Sequence, residues 1–207
     1  MLSGIGVVGA ALILSACASV ETQEPSTDLA PEPAPERAVG WSVITDRNAE
    51  RVTWELVEQT EQGLKYQASN GCSYVSSGGD PFAPVASWSN CGGSSGSHTI
   101  VSQEGSLWPL KVGNTAAWKV NGETASETWS TTKRCSVREA VSLTVPAGTY
   151  DAYHVVCRDD WNRHTYYYAP EVDATIYFKR VHKQRGVQVE SLTKHASAGR
   201  GDGFELH

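Results

Sequence analysis

The densest run of chemistry-bearing side chains is Asp159-Asp160-Trp161-Asn162-Arg163-His164. Adjacent carboxylates could hold a cation, and a carboxylate beside a histidine could share a proton as an acid–base pair. The same residues are ordinary loop formers, because Asp and Asn side chains bond their own backbone in turns. The six histidines are His98, His154, His164, His182, His195 and His207, and none has H-E-x-x-H or H-x-H spacing. No metal site and no cofactor are therefore expected. Gly93-Ser94-Ser95-Gly96 lacks the spacing of a nucleophile elbow. No catalytic residue is assigned, and a hydrolase working through Asp159, Asp160 and His164 stands only as an alternative. Of seven tryptophans, Trp88, Trp108 and Trp161 lie beside turn residues, where an exposed ring would stack on a sugar or hold a peptide. The local basic stretch Lys179, Arg180, Lys183, Arg185 reads as a charged, solvated edge strand, with a modest positive patch as the alternative.

One cysteine does a different job from the rest. Ile5 to Leu14 is an uncharged apolar run, too short to span a bilayer, and it ends in Leu14-Ser15-Ala16-Cys17. This resembles the lipobox of bacterial lipoproteins. The resemblance implies removal of residues 1–16 and acylation of the Cys17 thiol, with two or three chains giving stable anchoring. Ala18, rather than Asp, follows the cysteine. The sorting rule of Gram-negative lipoproteins then implies the outer membrane, facing the periplasm. Met1 to Gly4 carries no Lys or Arg, unlike the usual start of a signal peptide, which is consistent with a start upstream of Met1.

An exported chain meets oxidising conditions, so the other four cysteines are expected as disulfides. Pro146-Ala147-Gly148-Thr149 is turn chemistry between two period-two runs. If those runs pair, opposing residues have numbers summing to about 292–295. Cys135 and Cys157 satisfy that register, which leaves Cys72 for Cys91. A four-cysteine zinc site would need close pairs such as C-x2-C, and none exists.

These residues must be positioned by strands. Residues 17–38 hold Pro25, Pro31, Pro33 and Pro35 with five acids and one base, the composition of a disordered tether. From residue 39 to 196, short aromatic and β-branched runs alternate with period two, and no sustained 3.6 period appears. We expect one disulfide-bonded all-β domain of nine to eleven antiparallel strands, a sandwich or a highly curved, partly closed barrel, with little or no helix. Ser69 to Gly105, rich in Gly and Ser, reads as a long loop tied by a cysteine pair. Residues 197–207 read as a flexible tail.

Trp108-Pro109-Leu110-Lys111-Val112-Gly113-Asn114, the Val145 to Tyr153 turn region and Tyr166-Tyr167-Tyr168-Ala169-Pro170-Glu171 are similar to a broad group of β-rich bacterial envelope lipoproteins. Pro170-Glu171-Val172-Asp173 departs from the "PGVG" usual in that group. The group supports the hairpin and implies no catalytic residue.

Composition sets limits on function. Apolar residues make up 40%, enough for a real core, and only 19% are charged, too few for a charged coiled coil. The net charge of −6 excludes general nucleic-acid binding. Residues 17–38 supply −4 of that charge, which leaves the rest at −2. The expected function is a non-enzymatic binding or assembly module in the envelope, anchored through Cys17, with envelope proteins, glycan or lipid as partners. A carrier of an apolar ligand inside a curved sheet is the alternative.

Overall fold

A computed structural model describes residues 21–25 and 29–196. Cys17 and the expected signal and tail segments lie outside these residues. The strands are β1 (Glu21–Pro25), β2 (Ser42–Arg47), β3 (Glu50–Thr60), β4 (Gly63–Ala68), β5 (Ser73–Ser77), β6 (Val85–Cys91), β7 (Ser94–Gly105), β8 (Thr115–Thr124), β9 (Thr128–Val145), β10 (Gly148–Arg158), β11 (Asn162–Ala169), β12 (Ala174–His182) and β13 (Gly186–Ala196). The only helical turn among the described residues is a 3-10 turn at Pro170–Val172. All pairings are antiparallel; from β2 to β13 each strand pairs with its chain neighbours and β13 pairs with β2, so these strands close into a twelve-stranded barrel, with β1 added against β9.

Closure leaves no edge on β12, which lies between β11 and β13. The expected edge strand at Lys179 to Arg185 is therefore a correction: alternate residues of that stretch turn inward. A second correction concerns Ser69 to Gly105, which carries β5, β6 and most of β7. Serine-rich strands lack an apolar stripe, so their pairing is invisible to a hydrophobic period. They form because closing a ring satisfies every backbone group.

β9 is eighteen residues long and changes partners along its length. Residues 128–136 pair with β8, and 141–144 pair with β1. Its hairpin with β10 turns at Pro146-Ala147, and the register sum moves from 293 (Ala152↔Val141) to 292 (Cys157↔Cys135) across a bulge at Arg138. The bulge lets Val137 and Ala140 both be buried while Arg138 and Glu139 stay exposed. Both expected disulfides are present, Cys135–Cys157 and Cys72–Cys91.

Two apolar clusters fill the structure. One gathers Trp41, Val52, Trp54, Leu56, Tyr66 and Leu192; the other gathers Phe82, Leu107, Leu110, Trp118, Tyr153 and Tyr168. Alternate residues of β10 and β11 serve each: Tyr153 and Tyr168 the second, Ala152 and Ala169 the first. The connection between β5 and β6 folds inward. Phe82 is fully buried against Trp108, Tyr166 and Tyr168 at 5.4–5.9 Å between rings.

Residues 29–38, expected as part of a disordered tether, lie against the barrel. Tyr153 donates to the carbonyls of Leu29 and Ala30 at 3.1 and 2.7 Å, and Glu32 forms a bridge with Leu110. Arg37 is buried, with Nε 3.2 Å from Asp173 Oδ2 and Nη1 3.0 Å from the Tyr66 hydroxyl. Burial opposes the charge on Arg37, but Tyr66 and Asp173 outweigh it and hold the guanidinium ionised. Composition misjudged this stretch because the few residues that pack, Leu29 and Arg37, are dispersed among prolines.

Candidate functional site: an arginine row beside the β10–β11 turn

Strand register places two neighbouring rows across β9, β10, β11 and β12. Cys135, Cys157, His164 and Arg180 are successive cross-strand partners. One residue away, Arg134, Arg158 and Arg163 are likewise successive partners. Adjacent residues of a strand face opposite sides. The cysteines are buried and the three arginines exposed, so the first row faces in and the second faces out.

Like charges placed directly opposite across a strand pair are destabilising. None of Arg134, Arg158, Arg163 or the bulged Arg138 makes an ion pair with a described carboxylate. An open groove of about 620 Å³ runs over this face, lined by Arg134, Arg138, Arg158, Val156, Asp159 and Asp160 among others. Each guanidinium presents a planar fork of donors that suits a carboxylate or phosphate. The groove can therefore hold oxyanions without displacing an existing partner.

Three carboxylates also line the groove, Glu104, Asp159 and Asp160, and the two aspartates are already engaged. Asp159 Oδ1 accepts from the backbone N–H groups of Trp161 and Asn162 at 2.8 and 2.7 Å and from Asn162 Nδ2 at 3.1 Å. Asp160 Oδ2 accepts from Thr131 Oγ1 at 2.8 Å. Their role is to shape the β10–β11 turn. The alternative carboxylate–histidine pair is a correction: no hydrogen bond joins His164 to Asp159 or Asp160 among the described residues. His164 instead points inward, stacked at 5.8 Å on Phe178, with Lys133, Arg180 and His182 acting on it. Burial first, then these cations, push its pKa down to about 2.

The three tryptophans separate. Trp161 stands exposed at the turn beside the groove. Trp88 is half-buried and tilted over His98 at 4.9 Å, with Trp129 at 6.3 Å. Trp108 stacks on Phe82 and is a core residue. The structure does not gather them into one aromatic platform.

Sequence reasoning missed the arginines because Arg134 and Arg138 lie 20–29 residues from Arg158 and Arg163. The signal was present in the register argument itself. Once Cys135 is set opposite Cys157, Arg134 must face Arg158.

No protein-family model matches the chain, and no curated protein matches it. Among solved structures, the hypothetical lipoprotein YmcC from Escherichia coli (K12) is similar at a TM-score of 0.48 and 10% identity, over 75% of this chain and 84% of that one.

Proposed function

We propose that the protein is a lipid-anchored, non-enzymatic binding module of the cell envelope, and that its outer arginine groove holds an acidic glycan. The observation that carries this reading is the row Arg134–Arg158–Arg163: three exposed cations in consecutive register, with no carboxylate partner, beside an open groove. Such a row is costly unless an anion uses it.

The lipobox supports the anchor. Cys17 precedes Glu21 by four residues, a reach of at most ~14 Å. Glu21 pairs with Thr144, close to the Pro146 turn. Arg134 lies ten residues back along β9, roughly 33 Å away. The groove thus sits far from the anchored end, where an extended glycan, rather than the anchoring bilayer, would meet it. The row includes no aromatic anchor of the kind that dominates protein hot spots. Outward positions Glu55, Lys119 and Lys179 are charged and exposed, unlike the apolar outer band of a transmembrane barrel.

The carrier alternative requires interior space, and Phe82, Trp118, Tyr153 and Tyr168 occupy the interior between strands. The hydrolase alternative lacks its acid–base pair. The test is isothermal titration of the full chain in detergent with oligogalacturonate and with a neutral maltooligosaccharide of equal length. Binding of the acidic chain alone is expected; equal binding of both would refute the charge-based reading.

A further inference from the structure

On the inward side of the same strands lie two more cations, Lys133 and Arg180, both acting on His164. Lys133 is buried, and its Nζ meets one acceptor, the Ala83 carbonyl at 3.5 Å, although an ammonium carries three donors. It lies two residues from Cys135, on the same inward face, and 5.9 Å from the Tyr166 ring centroid. His164 is the cross-strand partner of Cys157, and its Nδ1 is buried without a partner. Arg180 is the cross-strand partner of His164, half-buried, and makes no ion pair with a described carboxylate. Asp80 and Asp159 act on Lys133, and Asp159 on Arg180, yet neither carboxylate comes within ion-pair distance. Lys133 also acts on His98, and the His164 ring packs beside Tyr166 and Phe178 at 6.0 and 5.8 Å.

Burying a cation without a partner is among the costliest arrangements in a protein. Structures that retain one hold a counter-charge close by. The available donors here are those of an ammonium, a guanidinium fork and an imidazole, which together match a small oxyanion. Water alone would leave the charge unbalanced.

We infer that Lys133, His164 and Arg180 form an internal site for a small oxyanion, of the phosphate or carboxylate class, inside the barrel. The site is separate from the outer groove and stands without it. Its occupant completes the charge balance of the inner row and braces β9, β11 and β12 against one another.

Two features make it testable. Ligand that binds only the folded protein raises the melting temperature with concentration. Burial lowers the pKa of Lys133 to about 8, with Asp80 and Asp159 opposing that shift. Anion binding should therefore weaken as pH rises through that value; the other titratable or charged groups acting on the cluster are His98, His164, His182, Tyr166, Arg180, Arg47 and Arg185.

The experiment is a thermal melt of the full chain in detergent with inorganic phosphate or acetate, at ionic strength held constant with a bulky sulfonate. The expected result is a saturable rise in melting temperature at pH 7 that shrinks by pH 9. Lys133→Met and Arg180→Gln should each lose the rise. Arg180 is only half-buried, so its variant tests the site even if Lys133→Met fails to fold. The triple variant Arg134→Gln/Arg158→Gln/Arg163→Gln should keep the rise in full. A wild type indifferent to both anions would overturn the inference. So would an Arg180→Gln protein with an unchanged rise, or its loss in the outer triple variant, which would assign the effect to the groove.

Discussion

Arg134 stands directly opposite Arg158 across the β9–β10 pair, one step from the disulfide that joins Cys135 to Cys157. The cross-link holds together, on the buried side, two strands that repel each other on the exposed side. An unfavourable charge arrangement can persist there because a covalent bond fixes the register.

This arrangement predicts coupling. Cys135→Ala/Cys157→Ala should cost about 2–4 kcal/mol, the usual worth of such a bridge. Adding Arg158→Gln should recover a few tenths to ~1 kcal/mol, the scale of a cross-strand pair. Urea unfolding of the four combinations measures this. No gain from Arg158→Gln, with or without the disulfide, would mean that the arginines do not strain the hairpin.

Gly122→Ala should disturb Trp129. A Cβ at Gly122 would lie 2.2 Å from the Trp129 ring, and one at Gly96 would lie 2.5 Å from that of Trp88. Both rings cover glycines at the inner rim. The Gly122 substitution should destabilise by about 1–3 kcal/mol, the cost of forced overpacking. It should also shift tryptophan fluorescence. An unchanged melt and spectrum would contradict this packing.

Arg37→Ala removes the link between the segment at 29–38 and Asp173, 136 residues away. It leaves Asp173 hydrogen-bonded to Tyr168 alone among the described side chains. Asp173 is partly exposed, so the loss should be about 2–3 kcal/mol, below that of a fully buried pair. Hydrogen exchange should rise in residues 29–38 before the barrel strands. A globally uniform change would contradict a local role.

Acid should destabilise the fold. His164 is held well below the ordinary histidine value, so the unfolded chain binds a proton that the folded one refuses. Stability from this group is complete above about pH 6.5 and falls below it, by at most about 1.4 kcal/mol per pH unit. His164→Leu should flatten the decline in melting temperature between pH 7 and 5. His98 and His195 are lowered in the same direction by burial, so some slope should remain.

The parts of the fold readable in advance share a cause. Period-two runs such as Val52-Trp54-Leu56 face a core, and the Pro146 turn sets the register that brings Cys135 to Cys157. The all-β class and a curved, closing sheet were readable, but the choice of barrel over sandwich was not, because closure depends on β5 to β7, whose serines and glycines carry no stripe. Nor was the bulge at Arg138, which breaks the parity linking Val137 to Val141. The aspartates of 159–160 were readable as ordinary turn formers: Asp159 bonds its own turn, while the bond of Asp160 to Thr131, 29 residues away, depends on the pairing of the strands. The arginine row depends on register across three strands, information that emerges only once pairing is settled.

The most direct test of the binding account is titration of oligogalacturonate into the wild type and into Arg134→Gln/Arg158→Gln/Arg163→Gln, at low and at physiological salt. Removing like charges that face one another should leave the variant as stable as the wild type or more so, so its folding is checked by the same melt. The account predicts wild-type binding that weakens with salt, and at least a tenfold loss of affinity in the variant. Equal affinity of the two proteins for the acidic chain would contradict it.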